Sequence, residues 1–112
     1  MNIKQHLGMN KKIFYGAEIK PYIELEPVGT LNMDDYDFTA EYYCTRSRRV
    51  VVKKEDMRRE NENKYVACLN TKDLGTGILK CLVTRYIPDA DFDDGLRTDV
   101  RLFVFDTPIV GV

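Results

Sequence analysis

A chain of 112 residues, 44% apolar and 31% charged, has the composition of one globular domain with a wet surface and is too short for two comfortable cores. Its 17 basic side chains stand against 18 acidic ones, so a net charge of -1 offers no bulk attraction to nucleic acid or anionic lipid, and any electrostatic role must be local. No segment approaches the ~20 apolar residues of a membrane span and the start carries no signal-peptide core, which predicts a protein made and kept in a cytoplasm.

Residues 1–12 read as a polar, flexible amino-terminal arm, and residues 13–112 as one folded domain. From Ala17 the pattern runs in twos. Ile19, Ile23 and Leu25 share one face and Lys20, Glu24 and Glu26 the other, the signature of a half-buried strand. Pro21 cannot donate a ladder hydrogen bond, which places this strand at a sheet edge or starts it after the proline. Turn chemistry follows at Pro27-Val28-Gly29 and Asn32-Met33-Asp34-Asp35.

Phe38, Ala40, Tyr42 and Cys44 alternate with Thr39, Glu41, Tyr43 and Thr45, the clearest strand in the chain. A hairpin connection at Thr45-Arg46-Ser47-Arg48 leads into a short strand, Arg49 to Lys53. Glu55 to Lys64 has no apolar stripe on which a helix could dock, and reads as a loop with at most one short turn. Tyr65 to Leu69 is the next strand. Leu74-Gly75-Thr76-Gly77 then turns into the run Ile78 to Ile87, with Leu79, Cys81, Val83 and Ile87 on one face and Lys80 and Thr84 on the other. In the last strand, Val100, Leu102 and Val104 are expected to fill the core. That leaves Phe103 and Phe105 outside, as an apolar patch for another copy or a shell protein; the competing reading makes the strand central and covers that face with the amino-terminal arm or the loop Glu55 to Lys64. Roughly six or seven short strands with turns between them, and no helix-length pattern, predict an all-β antiparallel sandwich or barrel.

Chemistry-bearing residues are sparse. Cys44, Cys68 and Cys81 form no C-x-x-C pair and have no histidine nearby, so no zinc site is expected, and each reads as a buried reduced thiol. The acidic run Pro88 to Gly95 contains Asp89, Asp91, Asp93 and Asp94. Counted as an EF-hand loop from Asp89, it has Asp94 where glycine belongs and Val100 where glutamate belongs, which excludes that site. It is expected to be a solvated connection between neighbouring strands, the alternative being an improvised sandwich-loop calcium site. The only histidine, His6, lies in the arm, and Gly75-Thr76-Gly77 is too short for a phosphate loop, so neither catalysis nor a cofactor is expected. One charged cluster stands out. Arg46, Arg48, Arg49, Lys53, Lys54, Arg58 and Arg59 form a basic hairpin near Tyr42, Tyr43 and Tyr65, suited to an acidic protein surface, to the acidic loop of a neighbouring copy, or, as an alternative reading, to single-stranded nucleic acid.

In order along the chain, "GAEIKPYIELEPVG", "MDDYDFTAEYYC", "VVVKKEDM" and "KYVACLNTKDLGTGILKCLVTRYIPDADFDDGLRTDV" together resemble the small β-sandwich structural proteins of tailed bacteriophages, in particular short virion proteins of crAss-like gut phages. The layout is also similar to the amino-terminal adaptor domain of phage baseplate upper proteins. Residues 13–106 carry the resemblance. It implies a single immunoglobulin-like sandwich without catalysis, a head-fibre or decoration subunit of the capsid surface or else a tail adaptor. Such a module is assembled in the cytoplasm of an infected bacterium. Its expected partners are copies of itself, as a homo-oligomer, and other virion proteins; nucleic acid and membrane are not expected.

Overall fold

The structure, a computed structural model, describes residues 12–111. Apart from Lys12, the arm anticipated over residues 1–12, with His6, lies outside the described residues. The strands, in chain order, are β1 (Ile13–Phe14), β2 (Glu18–Ile19), β3 (Tyr22–Glu24), β4 (Asp37–Thr45), β5 (Arg48–Lys53), β6 (Arg58–Arg59), β7 (Lys64–Val66), β8 (Leu69–Asn70), β9 (Gly77–Pro88) and β10 (Leu96–Val110). Two short 3-10 turns, Lys54–Asp56 and Thr71–Asp73, complete the elements. The described residues are all-β, and none of their helices is long and apolar enough to cross a membrane.

Five strands form the main sheet in the order β1-β10-β9-β4-β5, antiparallel except for β1, which runs parallel to the end of β10. Two smaller sheets, β2-β8 and β3-β7-β6, supply the opposing layer. Phe38 of the main sheet meets Tyr65 of the smaller layer edge to face, with ring centroids 5.1 Å apart. The core joins Phe38, Ala40, Tyr42, Leu79, Cys81 and Val83 to Ile19, Ile23, Leu25, Ala67 and Leu69. Thr71 ties the layers' ends together: its hydroxyl accepts from the Gly16 amide at 2.7 Å and donates to the Ala17 carbonyl at 2.8 Å.

The alternation of β4 and β9 appears as expected, every second side chain being buried. The predicted strand from Ala17 is cut in two at Lys20-Pro21. With no amide hydrogen to give, Pro21 contributes only its carbonyl, which accepts from the Ala67 amide at 3.1 Å. Likewise Tyr65, Val66 and Ala67 are buried in succession, so the predicted Tyr65 to Leu69 strand divides into β7 and β8. The expected Glu55 to Lys64 loop also holds β6, and Met57 plugs the core from within it.

Two expectations are overturned. Cys68 is exposed, because the chain breaks step between β7 and β8, whereas Cys44 and Cys81 are buried free thiols. More consequentially, the last strand faces the other way. Val100, Leu102 and Val104 are 51%, 51% and 58% exposed, while Phe105 is 3% exposed and Phe103 packs against the core. Register decides this, because directly opposed residues share a face: Phe103 lies opposite buried Cys81 and Arg101 opposite buried Val83, so the odd-numbered residues of β10 point inward.

Burial pushes the Cys81 thiol up to about 12, partly offset by the neighbouring Tyr42 hydroxyl, and burial also raises Cys44. For Cys81 only about one molecule in ten thousand is then thiolate at pH 8, and thiolate is the reactive form. Native thiol labelling should therefore modify Cys68 rapidly and Cys44 and Cys81 only on unfolding; one fast thiol is the expected count, and three would contradict the burial.

Candidate functional site

The basic hairpin is assembled as a local structure, but its cations are largely engaged by the chain's own oxygens. Arg48 donates to the Lys72 carbonyl at 3.4 Å, and Arg49 reaches Glu41 at 3.3 Å while lying over the Tyr43 ring. Lys54 donates to the carbonyls of Met33 and Tyr36, Arg58 pairs with Glu60, and Arg59 pairs with Asp34 at 2.6 Å. Arg46, at the tip, and Lys53 are exposed. Of the three aromatics near this cluster in sequence, Tyr42 and Tyr65 are buried, and half-buried Tyr43 has its ring under Arg49 and near Lys80.

The acidic segment is the hairpin loop between β9 and β10. Asp89 and Gly95 close it through an amide-to-carbonyl bond of 2.9 Å, and Gly95 takes a φ of 76°, where a side chain would be strained. Two of the carboxylates hold the turn: Asp89 accepts from the Asp91 amide and pairs with Arg97 at 3.3 Å, and Asp94 accepts from the Leu96 amide. Asp91 and Asp93 are exposed. Among the described residues no three histidine, cysteine, aspartate or glutamate side chains stand together as a metal cluster. Basic tip and acidic loop lie at opposite ends of the main sheet, since Tyr43 pairs with Lys80 near one end and Asp37 with Tyr86 near the other.

The surface that stands out instead is the outer face of β10. Its rows follow from the register: Val104-Lys80-Tyr43-Arg49, then Leu102-Leu82-Glu41-Val51, then Val100-Thr84-Thr39-Lys53. Across β4 and β5 the face is largely charged and internally paired, with Arg49 4.3 Å and Lys80 5.8 Å from the Tyr43 ring centroid, and Val51 is its exposed apolar residue. Across β10 it is apolar, and exposed Ile78 and Phe14 extend it toward β1. Sequence reasoning found the right strand and the wrong side of it, naming Phe103 and Phe105 where Val100, Leu102 and Val104 are presented.

Beneath this row lies Arg85 with Asp99, 6% and 11% exposed, the one ion pair among the described residues with both side chains largely withdrawn from water. Arg85 donates from Nε and Nη2 to Asp99 Oδ2 at 3.0 and 2.8 Å, and from Nη1 to the Glu26 carbonyl and the Tyr36 hydroxyl. Arg101 donates to Asp99 Oδ1 at 3.2 Å. Burial works against the charge on Asp99, but the hydrogen bonds and positive charges of Arg85 and Arg101 outweigh it and hold the carboxyl below its usual range.

No protein-family model, no curated protein and no solved structure matches this chain.

Because the Asp99 carboxyl is depressed in the fold, the stability it adds is complete above the unfolded value of about 3.9 and is lost as pH falls through the lower folded value. Asp99→Asn strands the buried Arg85 charge and should cost about 3 kcal/mol at pH 7. In urea melts from pH 7 to pH 2, the gap between wild type and variant should narrow at the acid end; a gap independent of pH would contradict the role given to the charge.

Proposed function

We propose that this chain is a non-enzymatic structural subunit of a tailed-phage virion, an immunoglobulin-like sandwich acting at the capsid surface through protein contacts. The phage assignment rests on the resemblance of residues 13–106 to small virion sandwiches. The observation that supports an assembly role is the exposed row Val100, Leu102 and Val104. Fully burying a valine or leucine contributes roughly 1.5–3 kcal/mol, against about 0–1 for an exposed ion pair, so this row outweighs the charged surfaces as a source of binding energy. A monomer gains nothing from keeping it in water.

Nucleic-acid binding is the weaker reading. Five of the seven hairpin cations, Arg48, Arg49, Lys54, Arg58 and Arg59, are already engaged within the chain. Phosphate contacts would have to displace those partners before any counterions were released.

Particles purified on a density gradient from lysates of cells carrying the gene, probed with antibody to the recombinant chain, test the assignment. The chain should sediment with intact particles and immunogold should decorate their capsids. Label confined to tails would overturn the capsid placement, and absence from every particle fraction would overturn the virion reading itself.

A further inference from the structure

The stretch Leu96 to Val104 of β10 pairs with β9 without a break, and the first irregularity falls between Val104 and Pro108. On the other side of β10, β1 reaches only Ile109 and Val110. Among the described residues, nine consecutive positions of β10 therefore have a strand on one side and none on the other. Backbone donors and acceptors on such an edge are a template for another strand, and proteins usually blunt them with proline, lysine or a bulge. Leu96 to Val104 contains no proline and no lysine; the irregularity and Pro108 come only afterwards.

We propose that two copies of this chain pair antiparallel along the open edge of β10, with Val100 on the two-fold axis, joining their main sheets into one. The pairing deepens the structural-subunit reading and rests on it only for its biological role. Inward residues must meet inward residues, so the axis has to pass through a residue rather than between two. Placed on Asp99, it would set Asp99 against itself and Arg97 against Arg101 of the second copy. Placed on Arg101, it would set Arg101 against itself. Like charges directly opposed are destabilising. Placed on Thr98 or Leu102, it would avoid that conflict but keep only five of the nine regular positions in register, because the hairpin loop or the irregular stretch enters the pairing.

Val100 is the centre of the regular stretch, and an axis there pairs all nine positions. Asp99 then faces Arg101 of the second copy, and the reciprocal pair forms across the axis. Arg101 has the exposure to reach across, its side chain being 57% exposed. Arg97 faces Phe103 of the second copy, within the range of a cation over an aromatic ring. On the outer face Val100 meets Val100, and Leu96 meets Val104, so half-exposed apolar side chains line both sides of the seam. The charges that would otherwise protect this edge are thus complementary to themselves in one register, and it is the register of maximal overlap.

Sedimentation velocity of the full chain over a hundredfold concentration range tests the pairing, with V100K as the variant that opposes two lysines at the axis. Val100 is half exposed, so V100K should melt where wild type does. Wild type should pass from monomer to dimer, and V100K should raise the dimer dissociation constant at least tenfold. In a Cys68→Ser background, V100C should oxidise to a disulfide dimer, whereas L102C, which would face Thr98 of the second copy, should not. A wild type monomeric throughout, a dimer indifferent to V100K, or L102C crosslinking as readily as V100C would each overturn the pairing. So would a monomer whose β10 amides resist hydrogen exchange, since the edge would then be covered from within the chain. A chain found on particles yet monomeric in isolation overturns the pairing and leaves the virion reading; a pairing chain absent from particles does the reverse.

Discussion

The Arg85 to Asp99 ion pair is the constraint on which the arrangement of the main sheet turns. It lies between the two longest strands, with both side chains largely out of water. Removing a guanidinium and a carboxylate from water costs several kcal/mol each, and only close geometry with further hydrogen bonds offsets the cost. Here those bonds come from Tyr36, the Glu26 carbonyl and Arg101, which tie β9 and β10 to the segment before β4. A slip of β10 by one residue would leave Arg85 buried without its carboxylate and send Asp99 to the outer face. Few slips in a sheet are penalised so heavily.

Holding Asp99 inward holds its whole parity inward: Arg97, Arg101, Phe103 and Phe105 on one face, Thr98, Val100, Leu102 and Val104 on the other. The main sheet consequently has an outer face of two characters. Its β4 and β5 half is covered by a salt bridge between Arg49 and Glu41 and by cations over Tyr43. Its β10 half is apolar and ends at a strand edge that, among the described residues, β1 caps only at its far end. Stability and availability for contact come from the same interaction: the pair that locks the sheet also commits three aliphatic side chains to the outside.

Much of this was legible in the sequence wherever alternation was unopposed. β4 and most of β9 could be read face by face, because every inward side chain in Phe38 to Cys44 and in Leu79 to Val83 is apolar. Arg85 continues the inward row of β9 as a charge, which hydropathy assigns to solvent, and its partner lies 14 residues on. In β10 both alternating sets contain large apolar residues, so composition could not choose between them; the choice required knowing that Asp99 lies opposite Arg85. The acidic loop was recognisable as a turn from its own chemistry, since Asx side chains and Gly95 close it locally. The neutralisation of the basic hairpin was not, because Asp34, Glu41 and the Met33, Tyr36 and Lys72 carbonyls come from distant parts of the chain.

The facing of β10 is the point from which the surface, the edge and the assembly role all descend, and it can be measured directly. Dilute protein with labelled methyl and aromatic groups, exposed to a soluble paramagnetic agent, reports which side chains the solvent reaches. The methyl groups of Val100, Leu102 and Val104 should relax strongly, the ring of Phe105 no more than that of buried Phe38, and the half-buried ring of Phe103 less than the three aliphatic side chains. Strong relaxation of the two phenylalanines with shielded Val100, Leu102 and Val104 would contradict the account, because β10 would then be turned over and the Arg85 to Asp99 pair could not exist.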